Sequence, residues 1–275
     1  MNNGLSLHIG VNNIDKTQYN SEWTPLVAAI KDAIAMEQLA TQYQFKTKLL
    51  LDYEATTDNF LNFLDSASET LSSGDFLLVS FSGHGSFITD PSSNRFESPI
   101  DLRNGIDHTL CFYDKMLIDD RIHLEFQKFE TGVRILFIFD SCYSAGMIDT
   151  HREVFAERTH VRSRLLEQSA LLANYNNNKA FYDNQKKLIE VKKKNEKNFD
   201  LILLAACEAN EKAYEDDQHG FFTSHLLKTW NNKKFSGDII DLFELTKLSM
   251  KQSGLKQTPR LLPYSRFTNK QAFVI

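Results

Sequence analysis

The sequence predicts an α/β fold in which a mostly parallel sheet carries helices on both faces. Apolar and β-branched runs alternate along the chain with segments of helical periodicity, which is the pattern of parallel strands joined by helices. Two of the runs, 76–81 and 133–139, are largely apolar, as in strands that are buried on both faces. A short polar segment follows each of them, at the sheet edge where ligands and reactive groups gather in open α/β sheets.

The elements follow one another in the order that such a sheet requires. In chain order, strands are expected at 5–11, 46–51, 76–81, 133–139 and 201–206, and helices at 25–43, 57–71, 121–129, 222–230 and 239–249. Thr56 or Thr57 can cap the second helix, and Ser73-Gly74 ends it before the third strand. A final strand at 272–275 would close the chain.

The segment 151–198 departs from this regular pattern. It contains a polar tract at 174–179 and a lysine run at 192–194, and it carries eleven Lys/Arg against six Asp/Glu. Its local charge is therefore +5, whereas the whole chain carries −5. Such a composition favours a solvated helical hairpin or a mobile linker between two more regular parts.

Composition excludes several classes of function. The 275 residues are 42% hydrophobic, and a formal charge of −5 argues against general nucleic-acid binding. The three cysteines, Cys111, Cys142 and Cys207, are widely spaced, so neither a disulfide framework nor a zinc site is indicated. The first residues carry no signal-peptide pattern, and no segment is long enough to span a membrane. We therefore expect a cytoplasmic protein with free thiols and no membrane partner.

A histidine and a cysteine stand just beyond the two most apolar strands. Ser82-Gly83-His84-Gly85 follows one strand, and Asp140-Ser141-Cys142 follows the other. A sulfur nucleophile and a base that can protonate a leaving amine are what acyl transfer by a cysteine requires. Taken singly, His84 would be an ordinary loop histidine and Cys142 a small buried residue. Their matching positions at two strand ends favour the catalytic interpretation.

These two segments resemble the histidine and cysteine boxes of the caspase-like cysteine peptidases, and above all those of the metacaspases and their bacterial relatives. Further segments resemble the family in the same order, at 7–12, 28–33, 205–211, 220–223 and 257–259. The resemblance implies a three-layer caspase-like fold and a single peptidase domain over 1–275. Its parts would be a large-subunit-like part at 1–150, a basic inter-subunit linker at 151–198 and a small-subunit-like part at 199–275.

The resemblance also implies the catalytic roles. Cys142 would be the nucleophile and His84 the general acid and base, while the backbone N–H groups of Gly85 and Cys142 would stabilise the oxyanion. One departure from the family lies beside the thiol. Tyr143 stands where the family commonly has histidine, and the turn at 144–146 is one residue longer than usual. This difference concerns the geometry of the turn, since the cysteine and its neighbouring acid are both in place.

Three residues match positions that line the primary specificity pocket of metacaspases, namely Asp32, Ser82 and Asp140. Two carboxylates in a partly desolvated slot favour a guanidinium or ammonium group and reject an acidic side chain. We therefore expect cleavage after Arg or Lys. The alternative interpretations are an exposed helix acid for Asp32 and a turn cap for Asp140.

Four further carboxylates resemble positions that bind calcium in some metacaspases: Asp107, Asp119, Asp120 and Asp149. Carboxylate oxygens suit this hard cation. The alternative is that Asp119 or Asp120 caps the helix expected at 121–129. We expect the chemistry itself to need no cofactor, with Ca²⁺ as a candidate activator.

The features together favour a cysteine endopeptidase that acts on protein substrates and is regulated by linker cleavage, a regulatory protein or calcium. Two alternatives stay open. One is a downstream protease of a bacterial immune or cell-death cascade, activated by another protease. The other is a catalytically silent caspase-like scaffold that binds partners. The linker offers these basic residues to an acidic pocket: Arg158, Arg162, Arg164, Lys186, Lys187, Lys192, Lys193 and Lys194.

Overall fold

A computed structural model describes residues 3–19, 23–89, 106–142, 161–192, 200–208, 211–230 and 234–264. The strands are β1 (Gly4–Gly10), β2 (Lys46–Leu51), β3 (Phe76–Ser82), β4 (Gly85–Thr89), β5 (Ile106–Cys111), β6 (Met116–Ile118), β7 (Arg134–Asp140), β8 (Arg162–Ser163), β9 (Asp200–Ala205), β10 (Tyr214–Glu215) and β11 (Arg260–Tyr264). The helices are α1 (Lys16–Tyr19), α2 (Ala29–Gln42), α3 (Thr57–Thr70), α4 (Asp119–Phe126), α5 (Gln168–Asn177), α6 (Lys179–Lys192), α7 (Phe221–Trp230) and α8 (Ile239–Gln252).

Six strands form the central sheet, in the order β11-β9-β7-β3-β1-β2. Five of them are parallel, and only β11 runs antiparallel, at the edge beside β9. In β3 and β7 every residue after the first is buried, which fits their position in the middle of the sheet. The structure thus confirms the predicted α/β class and its mostly parallel sheet.

The helices pack in two sets. α2 packs on β1, β2 and β3 and contacts α7, which packs on α8, whereas α3 contacts α4. α2 begins at Ala29 and not at residue 25, and the backbone N–H groups that precede it are bound by distant parts of the chain. The Leu26 N–H donates to the Asn12 carbonyl, and those of Val27 and Ala28 donate to the Glu215 carboxylate. Among the helices of the described ranges, none combines the length and hydropathy needed to cross a bilayer.

Two smaller sheets were not predicted. β4, β5 and β6 form an antiparallel sheet, and β8 pairs antiparallel with β10. The short β8 and β10 have only two residues each and no apolar alternation to reveal them. The strand β11 was also missed, and the one predicted at 272–275 lies outside the described residues.

Within the described part of the segment 151–198, residues 161–192, the structure corrects the expectation of a solvated hairpin or mobile linker. α5 and α6 do form a helical hairpin, but one side of it is buried. The Tyr182 side chain is fully buried, and its hydroxyl accepts a hydrogen bond from the Met116 N–H at 3.0 Å and donates one to the Asn174 amide oxygen. Met116 lies in β6, so the hairpin covers the edge of the small sheet. Polar residues of the tract thus form hydrogen bonds with buried groups. Composition does not show whether a polar residue binds a buried group or water.

Candidate active site

The ends of β3 and β7 bring the predicted histidine and cysteine to one edge of the sheet. The two strands are parallel neighbours, and Ser82 at the end of β3 is in register with Asp140 at the end of β7. His84 lies two residues beyond β3, and Cys142 lies two residues beyond β7. Because the register is fixed by the strands, both side chains are delivered from a rigid part of the fold.

The His84 ring is buried and held by one carbonyl. Its Nε2 lies 2.9 Å from the Thr24 carbonyl oxygen, which can only accept, so Nε2 carries the proton. Nδ1 has no hydrogen-bond partner among the described residues. Burial lowers the pKa of His84 to about 4, with the carbonyls of Thr24 and Arg164 opposing the shift. The imidazole is therefore neutral at pH 7, with Nδ1 free to accept a proton.

The Cys142 thiol is also buried, with its partners on the chain that precedes β10. The Ala213 N–H donates to Sγ at 3.1 Å, and the thiol lies 3.4 Å from the Ala213 carbonyl oxygen. Burial raises the pKa of Cys142 to about 11, while the hydrogen bond from Ala213 acts in the opposite direction. At neutral pH the cysteine is thus a protonated thiol in this state of the site.

Gly85 presents a backbone N–H to a carbonyl. This N–H donates to the Arg164 carbonyl oxygen at 2.9 Å. A Cβ at Gly85 would lie 1.9 Å from the Cys142 carbonyl oxygen, so only glycine allows the two chains to approach this closely. The predicted role of the Gly85 N–H in stabilising an oxyanion agrees with this position, and the same role for the Cys142 N–H stays a prediction.

The three predicted pocket residues meet around a fourth that was not assigned to the pocket. The Arg164 guanidinium is fully buried and lies 2.6 Å from Asp32 Oδ2 and 3.1 Å from Asp140 Oδ1. It also donates to the Ser82 hydroxyl at 2.8 Å. A further carboxylate, that of Glu215 in β10, lies 3.3 Å from the same guanidinium. Asp32 is thus no exposed helix acid, and the pocket holds three carboxylates.

Backbone and hydroxyl groups fix these carboxylates in place. The Gly220 N–H donates to Asp32, and the Thr223 N–H and hydroxyl donate to Asp140 Oδ2 at 2.9 and 2.8 Å. His219 Nδ1 lies 2.8 Å from Asp32 Oδ1. The alternative of a turn cap for Asp140 is therefore wrong, because its Oδ2 accepts from the start of α7, 83 residues away.

The buried charges of the pocket shift the pKa values of its residues in different directions. Burial raises the pKa of Asp32, but the Arg164 charge and the hydrogen bonds from His219, Arg164 and Ser82 together outweigh it and hold that pKa below its ordinary value. For Asp140 and Glu215, burial outweighs the attraction of Arg164 and raises the pKa. The pKa of Arg164 itself is held above its ordinary value, because the three carboxylates outweigh the effect of its burial. The pocket therefore strongly favours a cationic occupant.

Sequence reasoning missed several groups that shape this site, namely Thr24, Ala213, Glu215 and Gly220. Each acts through a backbone group or through a contact between distant parts of the chain, and no local pattern reveals it. Gly220 has the sharpest requirement, since a Cβ there would lie 2.2 Å from Asp140 Oδ2 and 2.6 Å from an Arg164 guanidinium nitrogen. Arg164 was named only as one of eight basic linker residues.

The predicted calcium ligands do not form a site in the described part of the chain. Asp119 and Asp120 lie in the first turn of α4, which begins at Asp119, and Ile118 occupies the cap position without a side-chain cap. The alternative, in which Asp119 or Asp120 caps a helix that begins at residue 121, is thus wrong. Across the described ranges, no group of three or more His, Cys, Asp or Glu residues is arranged to hold a metal. The side chain of Asp107, all of Asp149, and Tyr143 with its turn lie outside the described residues.

Comparisons with known proteins show the family by sequence and the fold by structure. The sequence profile of the caspase domain matches residues 5–269. Metacaspase-5 from Trypanosoma brucei brucei is 23% identical over 282 residues, covering 93% of this chain and 50% of that protein. A crystal structure of a protein from Geobacter sulfurreducens has a TM-score of 0.81 at 26% identity and covers 99% of this chain and 97% of its own. That of caspase-1 from Spodoptera frugiperda has a TM-score of 0.59 at 12% identity and covers 98% and 88%.

The structural match to the insect protein and the sequence match to the trypanosome protein support different conclusions. At 12% identity the insect structure shows a common fold and nothing finer. The chain spans half the length of the trypanosome relative, and the match therefore covers a domain of that protein and not the whole of it.

Proposed function

Because the chain belongs to the caspase-domain family, we propose that it is a cysteine endopeptidase that cleaves protein substrates after Arg or Lys. The observation that carries the proposal is the burial of the Arg164 side chain among three carboxylates, beside His84 and Cys142. A pocket that accommodates an arginine of its own chain has the dimensions and charge for an arginine of a substrate.

The proposed chemistry uses the neutral histidine as a base. Nδ1 of His84 takes the thiol proton, and Cys142 Sγ attacks the carbonyl carbon of the substrate bond. The Gly85 N–H stabilises the developing oxyanion. His84 then gives its proton to the leaving amine, and water hydrolyses the thioester to restore the thiol. The Thr24 carbonyl positions the ring through Nε2–H, as an orienting group does in other nucleophile–base pairs.

The proposed specificity follows from the pocket's charge. A substrate guanidinium can pair with the carboxylates of Asp32 and Glu215 and donate a hydrogen bond to the Ser82 hydroxyl. A lysine ammonium has fewer N–H donors for the same oxygens. A substrate aspartate would place a fourth carboxylate in a buried acidic site, at a cost that excludes it. We expect arginine to be preferred to lysine and acidic residues to be rejected.

An active enzyme is favoured over a silent scaffold, because the Gly85 N–H binds the Arg164 carbonyl, the pocket carboxylates bind its guanidinium, and Cys142 contacts the neighbouring Ser163. Linker cleavage is the mode of regulation that the contacts support best. Calcium, a regulatory protein and a protease of a cell-death cascade remain candidate activators.

The free thiols at Cys111, Cys142 and Cys207 support the expected cytoplasmic location.

The test is a cleavage profile of the purified chain on a peptide library that varies the residue before the scissile bond. It is recorded with and without calcium, before and after limited trypsin treatment, and in parallel with the Cys142→Ala variant. We expect cleavage after Arg, and less after Lys, only in the protein with Cys142. Cleavage after Asp would refute the pocket, and the absence of any Cys142-dependent cleavage under all conditions would favour the scaffold.

A further inference from the structure

The side chain of His219 is 31% exposed, yet its ring contacts the buried carboxylate of Asp32. We propose that His219 is a positioning residue of the acidic pocket. Its ring holds Asp32 in the orientation that receives a guanidinium, and the preference for Arg over Lys depends on this contact. The inference rests on the proposed function and deepens it by naming a residue that sets the selectivity among basic side chains.

The backbone of His219 belongs to a turn that hydrogen bonds hold in place. The turn joins β10 to α7, and the Asp216 carboxylate accepts from the N–H groups of Gln218 and His219 at 2.7 and 3.0 Å. The Asp216 N–H donates to the His219 carbonyl at 3.0 Å. From α2, the Lys31 ammonium donates to the Asp217 carbonyl. These bonds fix the position from which the ring projects toward the pocket.

The two oxygens of Asp32 have different partners. Oδ1 lies 2.8 Å from His219 Nδ1, whereas Oδ2 accepts from the Ser82 hydroxyl at 2.7 Å and from the Arg164 guanidinium at 2.6 Å. The Gly220 N–H is shared by both oxygens, at 3.2 and 3.1 Å. An ionised carboxylate can only accept, so Nδ1 of the ring carries the proton. The ring therefore occupies one oxygen and directs the other toward the guanidinium.

Asp32 differs in this respect from the other two carboxylates of the pocket. Asp140 Oδ2 accepts from the N–H and hydroxyl of Thr223, and Glu215 accepts from two backbone N–H groups just before α2. The ring that binds Asp32 is instead a partly exposed side chain, while Asp32 itself is only 1% exposed. A substitution at His219 can therefore release one carboxylate without placing a new group inside the pocket.

The ring also favours the charged form of Asp32. Burial raises the pKa of this carboxyl, but the charge of Arg164 and the hydrogen bonds from His219, Arg164 and Ser82 hold it below its ordinary value. In the same pocket the pKa values of Asp140 and Glu215 are raised. Asp32 is thus the carboxylate whose surroundings favour ionisation, and the hydrogen bond from the histidine contributes to that state.

The shape of a guanidinium explains why the orientation of Asp32 discriminates between Arg and Lys. Nη2 of Arg164 lies 2.6 Å from Asp32 and 3.3 Å from Glu215, while Nη1 lies 2.8 Å from the Ser82 hydroxyl and 3.1 Å from Asp140. A planar guanidinium requires acceptors at fixed positions for both nitrogens. A lysine ammonium is a compact charge with rotatable donors, so it tolerates a carboxylate that turns. Loss of the histidine contact should therefore weaken Arg more than Lys.

Two substitutions separate the donor of His219 from its volume. His219→Asn keeps an N–H donor near the position of Nδ1, and His219→Phe keeps a ring of similar size without a donor. His225→Phe is the matched control, because the His225 ring contacts Ser249 of α8 and not a pocket residue. Values of kcat and KM are measured on Arg and Lys peptides that are otherwise identical, after limited trypsin treatment and inhibition of the trypsin. The Cys142→Ala protein, treated in the same way, gives the background.

We expect His219→Phe to lower kcat/KM for the Arg peptide about tenfold, since a hydrogen bond to a charged group is lost. The Lys peptide should lose less, so that the ratio of Arg to Lys cleavage falls at least about threefold. His219→Asn should keep both values within about threefold of wild type, and His225→Phe should behave as wild type. If thermal melting shows that His219→Phe does not fold, His219→Ala takes its place as the variant without a donor.

The tautomer of the ring is a second readout that needs no activity. The Cys142→Ala protein is labelled with ¹⁵N-histidine, and the signals of His219 are assigned by their loss in the spectrum of a protein that also carries His219→Asn. We expect the neutral ring to carry its proton on Nδ1, because the Asp32 oxygen must accept.

Three results would overturn the inference. The first is an unchanged ratio of Arg to Lys cleavage in His219→Phe, and the second is an equal loss in His219→Asn and His219→Phe. The third is a proton on Nε2 of the neutral ring. Each leaves the proposed peptidase in place, provided that wild type cleaves Arg peptides. The absence of Cys142-dependent cleavage in wild type would instead refute the proposed function, and the inference with it.

Discussion

The guanidinium of Arg164 lies 2.6 Å from the carboxylate of Asp32, and neither side chain is exposed to solvent. The pair joins the linker to the first turn of α2, 132 residues earlier. A buried charge without a partner is costly, so each residue requires the other or a replacement of the same sign. The carboxylate that holds the linker arginine in the intact chain is thus the one that a substrate arginine would need.

Loss of the thiol or of the base should abolish activity. Cys142→Ala and His84→Ala should each reduce cleavage of a fluorogenic Arg peptide to background, because members of one catalytic unit are not additive. Cys111→Ala and Cys207→Ala replace thiols that are equally buried, and both should remain active. Full activity of Cys142→Ala would disprove the assignment of the nucleophile.

The pocket carboxylates should determine the specificity. Glu215→Gln and Asp140→Asn keep the size of each side chain. Each should lower kcat/KM for Arg peptides by an amount that corresponds to more than about 1 kcal/mol of transition-state stabilisation, since a charge-assisted pair is lost. The measurement is made after limited trypsin treatment of each protein. Glu208→Gln is the control, because Glu208 pairs with Arg260 in a partly exposed position. Indifference of Arg cleavage to both pocket variants would contradict the acidic pocket.

A methyl group at Gly220 should obstruct the pocket. Its Cβ would lie 2.2 Å from Asp140 Oδ2, which is held by Thr223 and cannot move freely. Gly220→Ala should therefore lose most cleavage of Arg peptides. In Gly237→Ala the added Cβ meets the ring of Phe235 at 2.7 Å and Asp241 Oδ2 at 3.2 Å, away from the pocket, and activity should remain. Kinetics on Arg peptides, with thermal melting to confirm folding, decide the result.

Buried histidines should make the fold sensitive to mild acid. Burial lowers the pKa of His8 to about 3 and those of His84 and His123 to about 4. Between pH 6.5 and 4.5 the unfolded chain binds these protons and the folded chain does not, so stability falls as the pH falls. Each pKa unit corresponds to about 1.4 kcal/mol. The raised pKa values of Asp140 and Glu215 have the opposite effect on the free energy of unfolding, but they concern two groups and not three.

The measurement is urea unfolding of the Cys142→Ala protein at pH 6.5 and 4.5. The free energy of unfolding should be lower at pH 4.5. His123→Gln removes one of the three titrating rings and should reduce the difference. Equal stability at the two pH values would show that the rings are protonated in the folded chain.

The central strands and the ends that carry His84 and Cys142 could be predicted, because a buried strand is a local pattern. The run from Phe76 to Ser82 is apolar enough to be recognised alone, and the residues that follow it must lie at the sheet edge. The hairpin at 168–192 was foreseen only in part. Its polar residues make buried hydrogen bonds, and composition does not reveal where a polar group finds its partner.

The sequence by itself determined the α/β class, the positions of the thiol and the base, and the acidic character of the pocket through Asp32 and Asp140. Each depends on neighbours along the chain or on a family motif. The tertiary structure alone decided that Glu215 completes the pocket and that Arg164, among the eleven basic residues of the linker, occupies it. Both come from the pairing of β8 with β10, two strands far apart in the chain, whose register follows from the packing of the whole fold.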